Sequence, residues 1–221
     1  MGWFEFVVAC VVFFLSHSLP VRPPLRPWLR ARLGASGFTL AYSALSLAML
    51  AWLISAAGRA PHMTLWDWAP WQFHLPLTIM GPVCLILALS IGRPNPFSFG
   101  GARNDQFDPA RPGIVRLSRH PLLLALALWA AAHVVPNGDL AHVILFGTFA
   151  AFALLGGRLI DRRKRREMGG TWQALDAARR QAPLLLAAPS GRAFLRVAAG
   201  IALYGALLWA HPIFFGVSPI P

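Results

Sequence analysis

HPLLLALALWAAAHVVPNGDLAHVILFGTFAAFALLGGRLIDRRKRR, residues 120–166, is the stretch that decides the fold class. It contains two apolar runs, residues 120–136 and 139–160, followed by a cluster of arginine and lysine. Between the runs, Pro136-Asn137-Gly138-Asp139 is a strong turn signal. Runs of this length with no acidic residue near their middle are typical of helices that cross a bilayer. We therefore expect a tight antiparallel pair of membrane-spanning helices.

The rest of the chain has the same composition. Of the 221 residues, 57% are hydrophobic and only 13% are charged, whereas a soluble domain carries about 25% charged residues. Four further apolar stretches occur, at residues 2–20, 37–57, 74–92 and 194–215. The sequence therefore predicts an all-α, polytopic bundle of about six spans, forming a single domain over residues 1–221.

The basic residues predict the topology. Except for Arg59, every Lys and Arg falls in one of three segments, residues 21–36, 93–119 and 158–196. Cytoplasmic loops carry the excess of positive charge, so these three segments are expected in the cytoplasm and both termini in the periplasm. This pattern indicates a multi-pass protein of a bacterial inner membrane. It also explains the net charge of +12 by contact with membrane lipids, without a nucleic-acid partner.

Four of the seven histidines, His17, His120, His133 and His142, are the candidate site residues. At 1.5 Å per helical residue, His17 and His120 fall at the cytoplasmic ends of their spans, and His133 and His142 near the periplasmic ends. Ionisable groups in a bilayer are costly and are candidates for function. A polar stripe on the second span, expected to face the interior, accompanies the cytoplasmic pair: Thr39, Tyr42, Ser43 and Ser46.

No motif for zinc or for phosphate binding occurs, and no carboxylate cluster is present. Histidines on facing helices with few other ionisable groups suit a haem iron better than they suit hydrolysis. The alternative is that the four histidines cap helix ends or bond to backbone. Asp161, at the start of the basic cluster, is interpreted as part of a membrane-stop signal.

Combined short motifs give a resemblance along nearly the whole chain. They are His17-Ser18-Leu19-Pro20, Arg26-Pro27-Trp28-Leu29-Arg30, Tyr42-Ser43, Gly113-Ile114-Val115-Arg116, Arg119-His120-Pro121, Leu128-Trp129 with His133, Asn137-Gly138-Asp139, Leu145-Phe146-Gly147 and Asp161-Arg162-Arg163. Together they resemble the NnrU family of bacterial membrane proteins. That family is linked to denitrification and is related to zeta-carotene isomerase, a membrane enzyme that uses haem b.

The resemblance implies a cofactor, partners and site residues. It implies haem b held by His17 and His133, with His120 at the position of a further important histidine. It also implies a role alongside nitrite or nitric oxide reductase components. The isomerase has a cysteine three residues before its second ligand, and this chain has Ala130 there. The departure disfavours the isomerase reaction and leaves haem binding possible through histidine.

Depth along the spans leaves the ligand pair open. His17 and His133 are expected near opposite faces, whereas the pairs His17 with His120 and His133 with His142 share a depth. Arg116 and Arg119 are candidates to bind haem propionates if the haem lies toward the cytoplasm.

Two other classes of function remain as alternatives. Gly113, Arg116, Arg119, His120 and Pro121 are similar to the cofactor-binding stretch of isoprenylcysteine-type membrane methyltransferases, which use S-adenosylmethionine. Glu167, Gly169, Gly170 and Trp172 resemble a second motif of those enzymes. The other alternative is a non-enzymatic accessory or assembly factor for a respiratory complex.

Overall fold

The fold was analysed in a computed structural model that describes residues 2–183 and 191–220. Helices hold 75% of the described residues, and these contain no strand beyond an isolated antiparallel bridge between Thr64 and Asp139. The α-helices are α1 (Gly2–Ser18), α2 (Leu25–Arg59), α3 (His74–Ser90), α4 (Pro121–Val134), α5 (Leu140–Met168), α6 (Gly170–Gln181) and α7 (Gly191–Phe215). The predicted all-α class is confirmed.

Among the described residues, four helical segments are long and apolar enough to cross a membrane. They are α2, Pro70–Ser90 (a 3-10 turn continuing into α3), α5 and α7. The two other predicted spans form shorter apolar helices, α1 of 17 residues and α4 of 14. At 1.5 Å per residue α4 is about 21 Å long, against a hydrocarbon core of about 30 Å. The chain is a helical membrane protein, and its six crossings stay a prediction.

Helix boundaries differ from the predicted ones where charged residues continue a helix. Arg163 and Lys164 both pair with Glu167, at 3.4 and 3.0 Å, and α5 runs eight residues past the predicted end at 160. Such pairs support a helix turn after the apolar part has ended. The second span was predicted to begin at residue 37, whereas α2 begins at Leu25. The helix is kinked at Gly34, whose φ of 71° favours glycine.

The chain divides into two compact units. The first is Met1–Asp67 with Gly138–Leu145, and the second is Trp68–Asn137 with Phe146–Pro221. In the first unit α1 packs against α2, and the Glu5 carboxylate accepts hydrogen bonds from Arg59 and from the Trp52 indole. This contact joins the start of α1 to the end of α2, so the two helices are antiparallel.

In the second unit α3 packs against both α4 and α7. The predicted antiparallel pairing of α4 and α5 is confirmed: Leu123 and Ala127 pack with Ala153, and Trp129 meets Phe149. A second apolar cluster, formed by Phe97, Val115 and Trp172, lies outside the long apolar helices. It fastens α6 to the segment that precedes α4.

The predicted turn between α4 and α5 is also present. Asn137 N donates to the Val134 carbonyl at 3.2 Å, and α5 begins two residues after Gly138. Gly138 in turn accepts a bond from Leu65 N at 2.7 Å, and Asp139 accepts one from Met63 N at 2.9 Å. The turn is therefore fixed to the loop that follows α2.

Candidate functional site

His120 stands at the N-cap of α4, directly before Pro121, which starts the helix without losing a needed N–H. Its Nε2 lies 3.0 Å from Asp161 Oδ1, and its Nδ1 lies 3.0 Å from Ser98 Oγ. Because the carboxylate can only accept, Nε2 donates, and in the neutral ring Nδ1 accepts from the Ser98 hydroxyl. Both ring nitrogens are engaged, so this geometry leaves neither for an iron.

Arg119 binds two carboxylates. Its Nη2 and Nε donate to the two oxygens of Asp161 at 2.6 and 3.2 Å, and its Nη1 donates to Asp176 at 3.3 Å. Burial opposes the charge, but these carboxylates raise the pKa of Arg119 above its ordinary value. The guanidinium also lies 5.3 Å from the Trp172 ring. Arg119 therefore remains charged and is held by the protein itself.

Arg179 extends this set of charges into α6. It donates to Asp176 at 2.7 Å and to the carbonyls of Val115 and Arg116 at 3.0 Å each. In the opposite direction, Arg116 Nε donates to the Ala182 carbonyl at 2.7 Å. We refer to Arg119, His120, Asp161, Asp176 and Arg179 as the charge network.

The contacts of Arg116 and Arg119 differ from the binding of haem propionates that the sequence predicted for them. Both arginines bind acceptors of the protein, which disfavours them as partners of haem propionates. Asp161, interpreted as part of a stop signal, is buried at 9% exposure within the network. Asp176, Arg179 and Ser98 were missed. The one available signal was an acid in the α6 segment followed at i+3 and i+4 by arginines.

His17 lies in the first unit, at the last turn of α1. Its Nδ1 is 2.7 Å from the Phe13 carbonyl, four residues earlier. The ring packs on the Phe13 ring with centroids 4.0 Å apart and meets Tyr42 edge-on at 6.2 Å. Tyr42 does not bond to the ring, since its hydroxyl donates to the His17 carbonyl at 3.0 Å. Because the carbonyl only accepts, Nδ1 carries the proton and the neutral ring keeps its lone pair on Nε2.

His133 lies in the second unit, at the last turn of α4, and has the same local arrangement. Its Nδ1 is 2.7 Å from the Trp129 carbonyl, and the rings of Trp129 and Phe146 each lie 5.4 Å from its own. The side-chain amide of Asn137 donates to the His133 carbonyl at 2.7 Å and not to the ring. His133 is thus an Nδ1-protonated imidazole between two aromatic rings.

The comparison with protein families gives a single decisive finding. A family described as NnrU protein matches residues 5–219, nearly the whole chain. The chain belongs to the NnrU family. No match was found among curated proteins or among solved structures.

In this NnrU-family protein the candidate residues form separate groups. His17 and Tyr42 are together in the first unit. Arg116, Arg119 and His120 lie near one another in the second unit. His133 belongs to the second unit too, at the other end of α4. The prediction that His17 and His120 lie at one depth stays a prediction.

The fourth candidate, His142, differs from His17 and His133. Its Nδ1 lies 2.9 Å from the Asp139 carboxylate, at the first turn of α5, and its side chain is 34% exposed. Asp139 accepts from Met63 and His142, and although burial acts against it, these bonds lower the pKa of its carboxyl. His142 therefore helps to fix the start of α5.

The polar stripe of α2 is turned inward only in part: Tyr42 bonds to the His17 carbonyl, and the Ser46 hydroxyl is buried. Thr39 and Ser43 are exposed and line a shallow groove of about 460 Å³ with Ala35, Ser36 and Leu40. Thr39 donates to its own helix, to the Ala35 carbonyl at 2.9 Å. The kink at Gly34 directly precedes this groove.

Proposed function

We propose that this NnrU-family protein binds haem b through at least one of His17 and His133 and supports reduction of nitrite or nitric oxide in a bacterial inner membrane. The observation that carries the proposal is the shared geometry of these two histidines. Each donates Nδ1–H to the carbonyl four residues earlier at 2.7 Å. Histidines that ligate metals typically donate their other ring N–H in this way, which orients the ring and leaves Nε2 as the ligand.

Both histidine rings have aromatic neighbours of the kind that would pack on a porphyrin. Phe13 and Tyr42 flank His17, and Trp129 and Phe146 flank His133. Aromatic and apolar walls suit a flat macrocycle and exclude water from the iron. A bound haem would supply one-electron chemistry. Within residues 2–183 and 191–220 no three His, Cys, Asp or Glu side chains assemble into a metal site, and a haem held by histidine would need no such cluster.

The charge network weighs against the methyltransferase alternative. That reading needs Arg119 and His120 free to bind a soluble cofactor. Instead Arg119 is bonded to two carboxylates and His120 to Asp161 and Ser98. The network is better explained as a set of structural contacts that hold α4, α5 and α6 together.

The test is a pyridine haemochrome assay with visible spectra on protein purified after expression with ample haem supply. We expect a b-type spectrum from the wild-type protein. His133→Ala and His17→Ala should each lower the haem content or change a six-coordinate spectrum to a five-coordinate one. His74→Ala is the control, because His74 is exposed and its ring contacts that of the adjacent Phe73. Wild-type protein without haem would refute the proposal and favour the accessory role.

A further inference from the structure

Two arginines of the second unit, Arg93 and Arg196, lie near the end of α3 and the start of α7. Arg196 lies in the second turn of α7, and its Nη1 donates to the carbonyls of Ala88 and Ile91 at 2.7 and 2.9 Å. These carbonyls belong to the last turn and C-cap of α3. A cation at a helix C-terminus is favoured by the helix dipole, so Arg196 is held in one place.

Arg93 follows α3 by three residues and is also positioned. Its carbonyl accepts a bond from Ala102 N at 3.1 Å. Its guanidinium lies over Gly113, with Cζ and both Nη atoms 3.6 Å from the position that a Cβ there would occupy. No hydrogen bond or ion pair of this guanidinium occurs among the residues that the structure describes.

The two guanidinium groups lack an acidic partner. Burial lowers the pKa of Arg93, and the nearby charge of Arg196 lowers it further. No carboxylate in the described part of the chain forms an ion pair with either arginine. Residues 184–190, with the sequence LLLAAPS, contain no acid either. Two neighbouring, partly buried cations repel each other and are costly without a counter-ion.

We propose that Arg93 and Arg196 bind the phosphate of an anionic phospholipid. Guanidinium groups match phosphate oxygens with paired hydrogen bonds. The site lies at the ends of two apolar helices, and apolar side chains flank it: Ile91 is 57% exposed and Leu195 is 67% exposed. Arg192, exposed and one turn before Arg196, adds a third positive charge on that side of α7. A charged centre with apolar flanks fits a lipid better than a free anion.

The test measures lipid binding to the purified full-length protein in detergent by native mass spectrometry. Phosphatidylglycerol is titrated against wild type, Arg93→Gln and Arg93→Lys, with phosphatidylcholine as the zwitterionic comparison and inorganic phosphate as competitor. Arg162→Gln is the matched control, because Arg162 is exposed and forms no ion pair among the described residues. A thermal melt without added lipid shows whether each variant is folded.

We expect Arg93→Gln to weaken phosphatidylglycerol binding by about tenfold, the loss of one good charged contact. Arg93→Lys should retain part of the affinity, and Arg162→Gln all of it. Added phosphatidylglycerol should raise the melting temperature of wild type more than that of Arg93→Gln. Equal binding by wild type and Arg93→Gln, or an equal loss in Arg162→Gln, would overturn the proposal. Binding of phosphatidylcholine as tight as that of phosphatidylglycerol would also overturn it, and full displacement by inorganic phosphate would show a free-anion site instead.

Discussion

At the scale of single residues, Asp161 is where the contacts of the charge network converge. Its two oxygens accept from Arg119, and one of them also accepts from His120. With Asp161 removed, Arg119 would keep only the longer bonds to Asp176, and His120 Nε2 would lose its acceptor. Breaking a buried pair is costly because the remaining charge has no partner and little water.

We therefore expect Asp161→Asn to lower the free energy of unfolding by about 2–4 kcal/mol. Thermal unfolding of the purified protein in detergent measures the effect. Glu167→Gln is the control, since Glu167 forms exposed pairs with Lys164 and Arg163, and exposed pairs contribute about 0–1 kcal/mol. Similar melting temperatures for the two variants would contradict a structural role for the charge network.

The ionisation of the Asp176 carboxyl should make the stability of the protein depend on pH. Burial alone would raise the pKa of this carboxyl, but Arg179, Arg119 and Arg180 lower it below its ordinary value. A carboxyl whose pKa is depressed by folding stabilises the protein above its unfolded pKa, and this stabilisation is lost as the pH falls through the folded pKa. Melting temperatures should therefore drop below about pH 4. Asp176→Asn should be less stable than wild type near neutral pH and approach it in acid, whereas a constant difference at every pH would argue against this ionisation.

Sequence was informative about residues in local patterns and uninformative about distant partners. The helix start at His120-Pro121 and the turn at Asn137-Gly138 depend on neighbouring residues, and both were predicted. Asp161 pairs with Arg119 and His120, which lie about 40 residues earlier in the chain. No spacing rule connects residues so far apart, so the charge network emerged only from the structure.

At the scale of elements, the apolar helices were predictable and α6 was not. Its segment, GTWQALDAARRQ, has a low mean hydropathy and follows a basic cluster, so it was interpreted as part of a cytoplasmic loop. What makes it part of the fold is Trp172, which packs with Phe97 and Val115. The same cluster holds the segment before α4 in place through Phe97 and Val115.

The contact between α3 and α7 gives an element-scale prediction. A Cβ at Gly200 would lie 3.1 Å from Leu85 Cα and 3.2 Å from the Cys84 carbonyl oxygen, and backbone atoms cannot move aside easily. We expect Gly200→Ala to cost about 1–3 kcal/mol by overpacking. Gly205→Ala is the matched control in the same helix, because no atom lies within 4 Å of its Cβ position. That variant should gain up to about 1 kcal/mol of stability from helix propensity. If thermal melts showed that both variants change stability in the same direction relative to wild type, close packing at Gly200 would be contradicted.

At the scale of the whole molecule, contacts within each unit bear on the number of crossings. Glu5 bonds to Arg59, and the turn at Gly138-Asp139 bonds to Leu65 and Met63. The start of α1, the end of α2 and Gly138-Asp139 therefore lie close together in the first unit. At the other end of α5, Asp161 bonds to Arg119 before α4. These contacts support α1 and α4 as crossings despite their length, with tilt or local thinning of the bilayer compensating for it.

The topology can be tested at the α4–α5 turn, where six crossings and four crossings differ. If only the four longer segments crossed, the basic cluster at Arg162–Arg166 and the basic segment 93–119 would lie on opposite faces, against the positive-inside tendency. With six crossings both are cytoplasmic and the turn is periplasmic. Alkaline phosphatase, active only in the periplasm, should be active when fused after residue 138 or residue 216 and inactive after residue 30 or residue 170. Green fluorescent protein at the same four positions should give the reverse pattern and controls for expression. Inactive phosphatase after residue 138, with fluorescence there, would show that α4 does not cross, and the histidines at its two ends would then share one face of the membrane.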